Sequence, residues 1–170
     1  SEVGKGTIFI IRLPLAYTAE KTTAVSTASQ ITLDSLNTDS CRGLHLLVAE
    51  DNDLNYDVIS ELLALHGLTC DRAENGKICV ERFSSAPSNT YDAILMDMQM
   101  PVMDGPEATK KIRALKLPQA ATSPILAITA NASAQDIARC KAAGMNDHLA
   151  KPINIHKLLA MLALYVQPHS

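Results

Sequence analysis

Ala93-Ile94-Leu95-Met96-Asp97 is a short apolar run that ends on a carboxylate, and the chain repeats this form three more times. Leu46-Leu47-Val48-Ala49-Glu50-Asp51 ends on two carboxylates, and Pro124-Ile125-Leu126-Ala127-Ile128-Thr129 ends on a hydroxyl. Asp147-His148-Leu149-Ala150-Lys151-Pro152 is less apolar and ends on an ammonium. Short apolar runs bounded by turn residues read as strands of a parallel sheet buried on both faces. In an open α/β sheet the functional crevice lies outside the carboxyl ends of those strands. Three carboxylates, a hydroxyl and an ammonium are therefore expected to meet there. That set suits Mg2+ and a phosphoryl group.

The segments between the runs carry helical signals. The spacing predicts a strand over Leu44–Ala49 and a helix over Asp53–His66, with Leu54, Val58, Leu62 and Leu65 on one face and Gly67 as its C-terminal stop. A second strand is expected over Leu68–Arg72, and Asn75-Gly76 turns into a helix of about Lys77–Ser84. Tyr91–Met96 reads as a strand, and Asp104 can cap a helix that runs to about Leu115 with Pro106 in its first turn. Pro124–Ile128 is a strand, Ser133 can cap a helix ending before Gly144, Asn146–Ala150 is the last strand, and a helix over about Asn154–Tyr165 follows. Five βα units give a doubly wound, five-stranded parallel sheet with helices on both faces.

Composition narrows the function classes. With 170 residues, 47% of them apolar, the chain can bury a substantial core. A net charge of −3 gives no basic face for nucleic acid or anionic lipid. Cys41, Cys70, Cys79 and Cys140 stand far apart and form no C-x-x-C, so they read as thiols in a reducing compartment. No apolar run reaches the length of a membrane span, and no signal peptide is visible. A cytoplasmic location without direct membrane contact is the expectation. From Thr18 to Ser40, ten of 23 residues are Ser or Thr, which reads as a linker. Expected boundaries are residues 1–17, a linker over 18–42, and a folded domain over 43–168.

Each strand-end residue has a plain structural use as well as a chemical one. A carboxylate facing a crevice, such as Asp97, can attack phosphorus and form an acyl phosphate. Equally, an Asp after a strand is a common helix cap or turn former. Glu50 and Asp51 can supply the oxygen ligands Mg2+ prefers, or simply answer the positive end of the next helix. Thr129 can donate to a phosphoryl oxygen or only end a strand, and Lys151 can follow the phosphoryl charge or be a solvated surface group. What favours chemistry is the joint pattern, because all fall at strand ends on one edge. Close carboxylates should also repel one another and raise at least one pKa.

Four segments then bring a known family into view: Leu47-Val48-Ala49-Glu50-Asp51-Asn52, Met96-Asp97-Met98-Gln99-Met100-Pro101-Val102-Met103-Asp104-Gly105, Ile128-Thr129-Ala130-Asn131-Ala132, and Gly144 through Pro152. In order and spacing over about Gly43–Val166 they resemble the motifs of response-regulator receiver domains. The resemblance implies a flavodoxin-like fold with strand order 2-1-3-4-5. It implies Asp97 as phosphoacceptor, and Glu50, Asp51, Asp97 and the Gln99 backbone carbonyl as Mg2+ ligands. Thr129 would be the switch hydroxyl, Lys151 the phosphate-contacting lysine, and Lys151–Pro152 a cis peptide. The chain departs from the family at His148, where a switch Tyr or Phe is usual; imidazole is smaller and titrates near neutral pH.

Gly4-Lys5-Gly6-Thr7 followed by Ile8–Leu13 resembles the closing glycine turn and last strand of a histidine-kinase ATP-binding domain. It is not a P-loop, since the earlier glycine is missing and a strand follows. None of His45, His66, His148, His156 or His169 precedes an acidic residue, and no nucleotide box is present, so the chain itself is expected to lack a kinase active site. The expected function is a phosphoacceptor at the C-terminal end of a hybrid sensor histidine kinase, whose parent could be anchored in the inner membrane. Asp97 would take a phosphoryl group from the phosphohistidine of its own or a cognate kinase and pass it to a histidine phosphotransfer protein, and the N-terminal strand could pair two copies into a dimer. A single-domain response regulator that acts by partner binding is the alternative. A haloacid-dehalogenase-type phosphatase would need an Asp where Gln99 stands.

Overall fold

The apolar runs become parallel strands in the computed structural model, which describes residues 38–130 and 133–166. The expected N-terminal strand over residues 8–13, most of the linker, Asn131, Ala132 and residues 167–168 lie outside the described residues. Strands β1 (His45–Ala49), β2 (Thr69–Ala73), β3 (Ala93–Asp97), β4 (Ile125–Thr129) and β5 (Asp147–Ala150) form one sheet ordered β2-β1-β3-β4-β5. Every neighbouring pair is parallel. The helices are α1 (Asp53–Leu65), α2 (Gly76–Ser85), α3 (Gly105–Arg113), α4 (Pro118–Thr122), α5 (Ala134–Ala143) and α6 (Ile155–Tyr165).

Side chains of a strand alternate between faces, so a strand buried on both faces feeds two cores. Leu47, Ala49, Ile94, Met96, Ile125 and Ala127 pack against Cys79 and Phe83 of α2, Ala108 and Ile112 of α3, and Cys140 of α5. Leu46, Val48, Leu95, Leu126, Ile128 and Leu149 pack against Ile59 and Leu63 of α1 and Leu158, Leu159 and Leu162 of α6. The doubly wound expectation holds.

Helix boundaries follow their caps. Asn52, Asn75, Asp104, Ser133 and Asn154 each accept a backbone N–H with the side chain at the start of a helix. At the other end of α5, Gly144 adopts φ +93°, the left-handed turn that glycine takes without Cβ strain. Three details differ from the sequence reading. The packed fold opens earlier than residue 43, with a 3-10 turn over Thr38–Cys41 that buries Cys41 and lets its Sγ donate to the Leu159 carbonyl at 3.4 Å. The segment before β4 forms the short helix α4, opened by Pro118 at a position where a proline loses no helical hydrogen bond. The third concerns α1: Leu54, Val58 and Leu65 are exposed, and the buried face is Ile59 and Leu63, roughly 140° round the helix. The Asn52 cap and the short connection from β1 fix that rotation, which the leucine spacing alone did not show.

The crevice depends on one close backbone approach. The Gly105 N–H donates to the Met98 carbonyl at 3.3 Å, and α3 starts against the end of β3. A Cβ on Gly105 would collide with the Asp97 carbonyl oxygen and stand 3.0 Å from Met96 Cγ. Gly105→Ala is expected to cost about 1–3 kcal/mol, the usual size of an overpacking penalty. Urea unfolding checks this, and a variant as stable as the unaltered chain would contradict the packing described.

Candidate functional site

Parallel register sets the site. Ala49 pairs with Met96 and Asp97 with Ile128, so β1, β3 and β4 end almost level. Glu50 leaves β1 fully buried, Asp97 closes β3 with only 5% of its surface exposed, and Thr129 closes β4 equally buried. Asp51 is exposed at the rim. The Lys151 N–H donates to the Thr129 carbonyl at 2.8 Å, which brings the lysine to the same edge. One carboxylate oxygen from each of Glu50, Asp51 and Asp97 lies within 4.8 Å of the others.

Lys151 reaches across the notch. Its Nζ donates to Glu50 Oε2 and to Asp97 Oδ2, both at 2.7 Å. The remaining Asp97 oxygen, Oδ1, accepts the Gln99 backbone N–H at 3.1 Å, and Glu50 Oε1 accepts from Asn55 Nδ2 at 2.9 Å. Burial pushes the Asp97 pKa up, against the hydrogen bonds from Lys151 and Gln99, and the Glu50 charge adds a smaller push in the same direction. Some rise was expected, but from repulsion between carboxylates; desolvation is the larger cause. Burial works against the charge on Lys151, yet Asp97 and Glu50 outweigh it and hold its pKa above the ordinary lysine value.

His148 stands one residue into β5 beside Ala127, not at the strand end. It is half-buried, with Nδ1 3.4 Å from Asp147 Oδ1. The Lys151–Pro152 peptide is cis. Two neighbours of the notch escaped the sequence reading. Asn55, in the first turn of α1, orients Glu50, and no motif signalled it. Arg72, near the end of β2, donates to the carbonyls of Glu50 and Asp51. Its signal was available, because the second strand also ends on a charge next to the acidic pair.

The arrangement can hold a hard cation and activate one carboxylate. Three convergent carboxylates offer the oxygen donors that Mg2+ selects, with the exposed side of Asp51 left toward water, which this ion retains. Among the described residues no other group of three such ligands comes together. No helix among them is long and apolar enough to cross a membrane.

Comparison with known proteins gives consistent matches. The family described as the response regulator receiver domain matches residues 46–163. The peroxide stress-activated histidine kinase mak1 of Schizosaccharomyces pombe is 39% identical over 122 residues, covering 71% of this chain. The chain spans 7% of that kinase's own length. The receiver domain of sensor histidine kinase PA1611 from Pseudomonas aeruginosa PAO1, crystallised with a magnesium ion coordinated in its active-site cleft, superposes with a TM-score of 0.65. It is 39% identical, and the match covers 72% of this chain and 97% of that one. A co-crystal structure of the Saccharomyces cerevisiae histidine phosphotransfer signaling protein Ypd1 with the receiver domain of its response regulator Ssk1 also matches. Its TM-score is 0.63 at 30% identity, over 72% of this chain and 88% of that one.

Because burial raises the Asp97 pKa, the folded chain holds that proton more tightly than the unfolded chain. Its charge therefore costs stability once pH rises above the ordinary aspartate range, and the cost fades as pH falls back through it. Asp97→Asn keeps the shape and leaves Lys151 its bond to Glu50. In buffer with a chelator, its Tm at pH 7 is expected to exceed that of the unaltered chain, with the gain shrinking toward about pH 4. A gain independent of pH would show that charge burial is not its source.

Proposed function

The chain belongs to the response regulator receiver family, and we propose that Asp97 is its phosphoacceptor, loaded from a phosphohistidine and unloaded onto a histidine phosphotransfer protein. The observation that carries this reading is the buried Glu50–Lys151–Asp97 bridge with Asp51 at its rim. An Asp97 carboxylate oxygen attacks phosphorus, the P–N bond to the donor imidazole breaks, and the freed imidazole nitrogen takes a proton from water. Such transfer depends on positioning and on neutralising the phosphoryl oxygens more than on acid–base help.

The chain's own groups supply the positioning. The Gln99 N–H and the Lys151 ammonium each engage one Asp97 oxygen, which fixes the plane of the nucleophile. Lys151, on a flexible stem and 24% exposed, can follow the incoming phosphoryl oxygens, and the Thr129 hydroxyl would meet another. Glu50, Asp51, Asp97 and the Gln99 carbonyl would hold Mg2+. When bound, that ion would neutralise charge on the transferring group.

Partner choice follows from the exposed face of α1. Leu54, Val58 and Leu65 form an apolar stripe, and Leu54, Val58, Lys151, Pro152 and Ile153 line one groove. The stripe therefore adjoins the lysine of the site. Exposed apolar patches of this kind mark protein interaction sites, and a phosphotransfer protein that lays its histidine over Asp97 would cover this one. Similarity to a histidine kinase supports placing the chain within a hybrid kinase. On the resemblance of residues 4–13, residues 1–17 would close the ATP-binding domain, and the linker would run from residue 18 up to the turn at Thr38. Its chemistry would then be cytoplasmic.

Incubation with Mg2+ and a small phosphodonor, followed by intact-mass measurement, is expected to show one added phosphoryl group. Asp97→Asn should show none; an undiminished gain in that variant would refute the assignment. Val58→Glu should lower the rate of transfer from a phosphorylated histidine phosphotransfer protein by about tenfold, the loss of one interface anchor. Its uptake from the small donor should match the unaltered chain. Equal losses with both donors would place Val58 outside the docking face.

A further inference from the structure

We infer that Arg72 is a positioning residue for the divalent-cation site, acting through the backbone of the loop that carries Glu50 and Asp51. The inference rests on the phosphoacceptor reading above for the site's purpose, but on its own geometry for the residue. Arg72 sits in β2 opposite Val48, one residue short of the strand's end. Its Nε donates to the Glu50 carbonyl at 3.3 Å, and its Nη2 to the Asp51 carbonyl at 3.1 Å. The same Nη2 lies 2.7 Å from Asp53 Oδ1. The guanidinium centre stands 5.1 Å from the centroid of the Tyr56 ring, and the side chain is only 21% exposed.

These contacts have a directional consequence. Capturing two consecutive carbonyls fixes two consecutive peptide planes. The directions in which the Glu50 and Asp51 side chains leave the backbone are fixed with them. Glu50 has further anchors: its N–H donates to the Ala73 carbonyl, and Asn55 and Lys151 hold its carboxylate. Asp51 is exposed, and the Arg72 bond to its carbonyl ties it to β2. Arg72 also places its charge against Asp53 and its hydrogen bonds against carbonyls. It thereby braces an acidic loop without competing for the carboxylates that would take the cation.

Arginine suits this task where lysine does not. A planar fork with five donors can bridge two carbonyls and a carboxylate while stacking on an aromatic face; a single ammonium cannot. Partners that orient metal ligands typically change affinity by about 10–100-fold when removed.

The test is Mn2+ binding, followed by the electron paramagnetic resonance signal of the free ion, on the full chain and on Arg72→Met and Arg72→Lys. Arg72→Met is expected to bind Mn2+ about tenfold more weakly, with Arg72→Lys in between. In phosphoryl uptake the loss should appear as a higher Mg2+ requirement, with the plateau rate recovered at high Mg2+. A purely structural role would lower Tm and leave the affinity of the folded protein unchanged, and that result overturns the inference. Should Arg72→Met fail to fold, Arg72→Lys carries the test, and Mn2+ affinity equal to the unaltered chain's overturns it. An unaltered chain that binds Mn2+ but takes up no phosphoryl group refutes the phosphoacceptor reading alone, since the Mn2+ comparison still decides the role of Arg72.

Discussion

Two carboxylates buried within reach of one ammonium are the constraint on which the rest of this structure turns. Glu50 is fully buried and Asp97 nearly so, and removing charges from water costs several kcal/mol per ion unless they are paired and hydrogen-bonded. Lys151 provides the pairing for both at 2.7 Å, and Asn55 and Gln99 satisfy the oxygens it leaves. A buried ion cluster of this kind is weak evidence of stability. It reads better as readiness, a preorganised set of charges whose partners could be exchanged for a cation and, in the function proposed above, a phosphoryl group.

The sheet is what makes such a cluster possible. Strand ends of a parallel sheet emerge on one edge, so residues about fifty positions apart, such as Glu50, Asp97 and Lys151, become neighbours. Level register among β1, β3 and β4 sets their heights, and the glycine at the start of α3 lets that helix close against the Asp97 carbonyl. The crevice is therefore a product of backbone geometry first and of side chains second.

Most of this was legible in the sequence for physical reasons. Four runs ending on functional groups located the strands and the edge. Asx, Ser and Gly signals located most helix ends, since these residues answer unpaired backbone groups directly. What stayed hidden depends on tertiary orientation. The stripe Leu54, Val58, Leu62 and Leu65 has a regular helical period, yet the short turn from β1 rotates α1 so that Ile59 and Leu63 face the sheet. The helix α4 was invisible because five residues carry too little periodicity. Asn55 was missed because its role runs through another side chain's oxygen, a contact that no residue pattern records. Arg72 ends the second strand on a charge, but its bonds to two backbone carbonyls appear only once β2 is paired with β1. His148 was singled out as a departure from the family, and its place one residue into β5 is a matter of register that strand-end reasoning does not resolve.

The division of the core by the sheet has a consequence for how such a domain can change over time. Leu46, Val48 and Leu95 face α1 and α6, whereas Leu47, Ile94 and Met96 face α2, α3 and α5, so the backbone layer insulates one apolar compartment from the other. Beyond that, the outward residues of α1 belong to neither compartment. If α1 is the docking face proposed above, substitutions there would retune recognition while the acidic notch and both compartments stay intact, letting one scaffold diversify its wiring and conserve its chemistry.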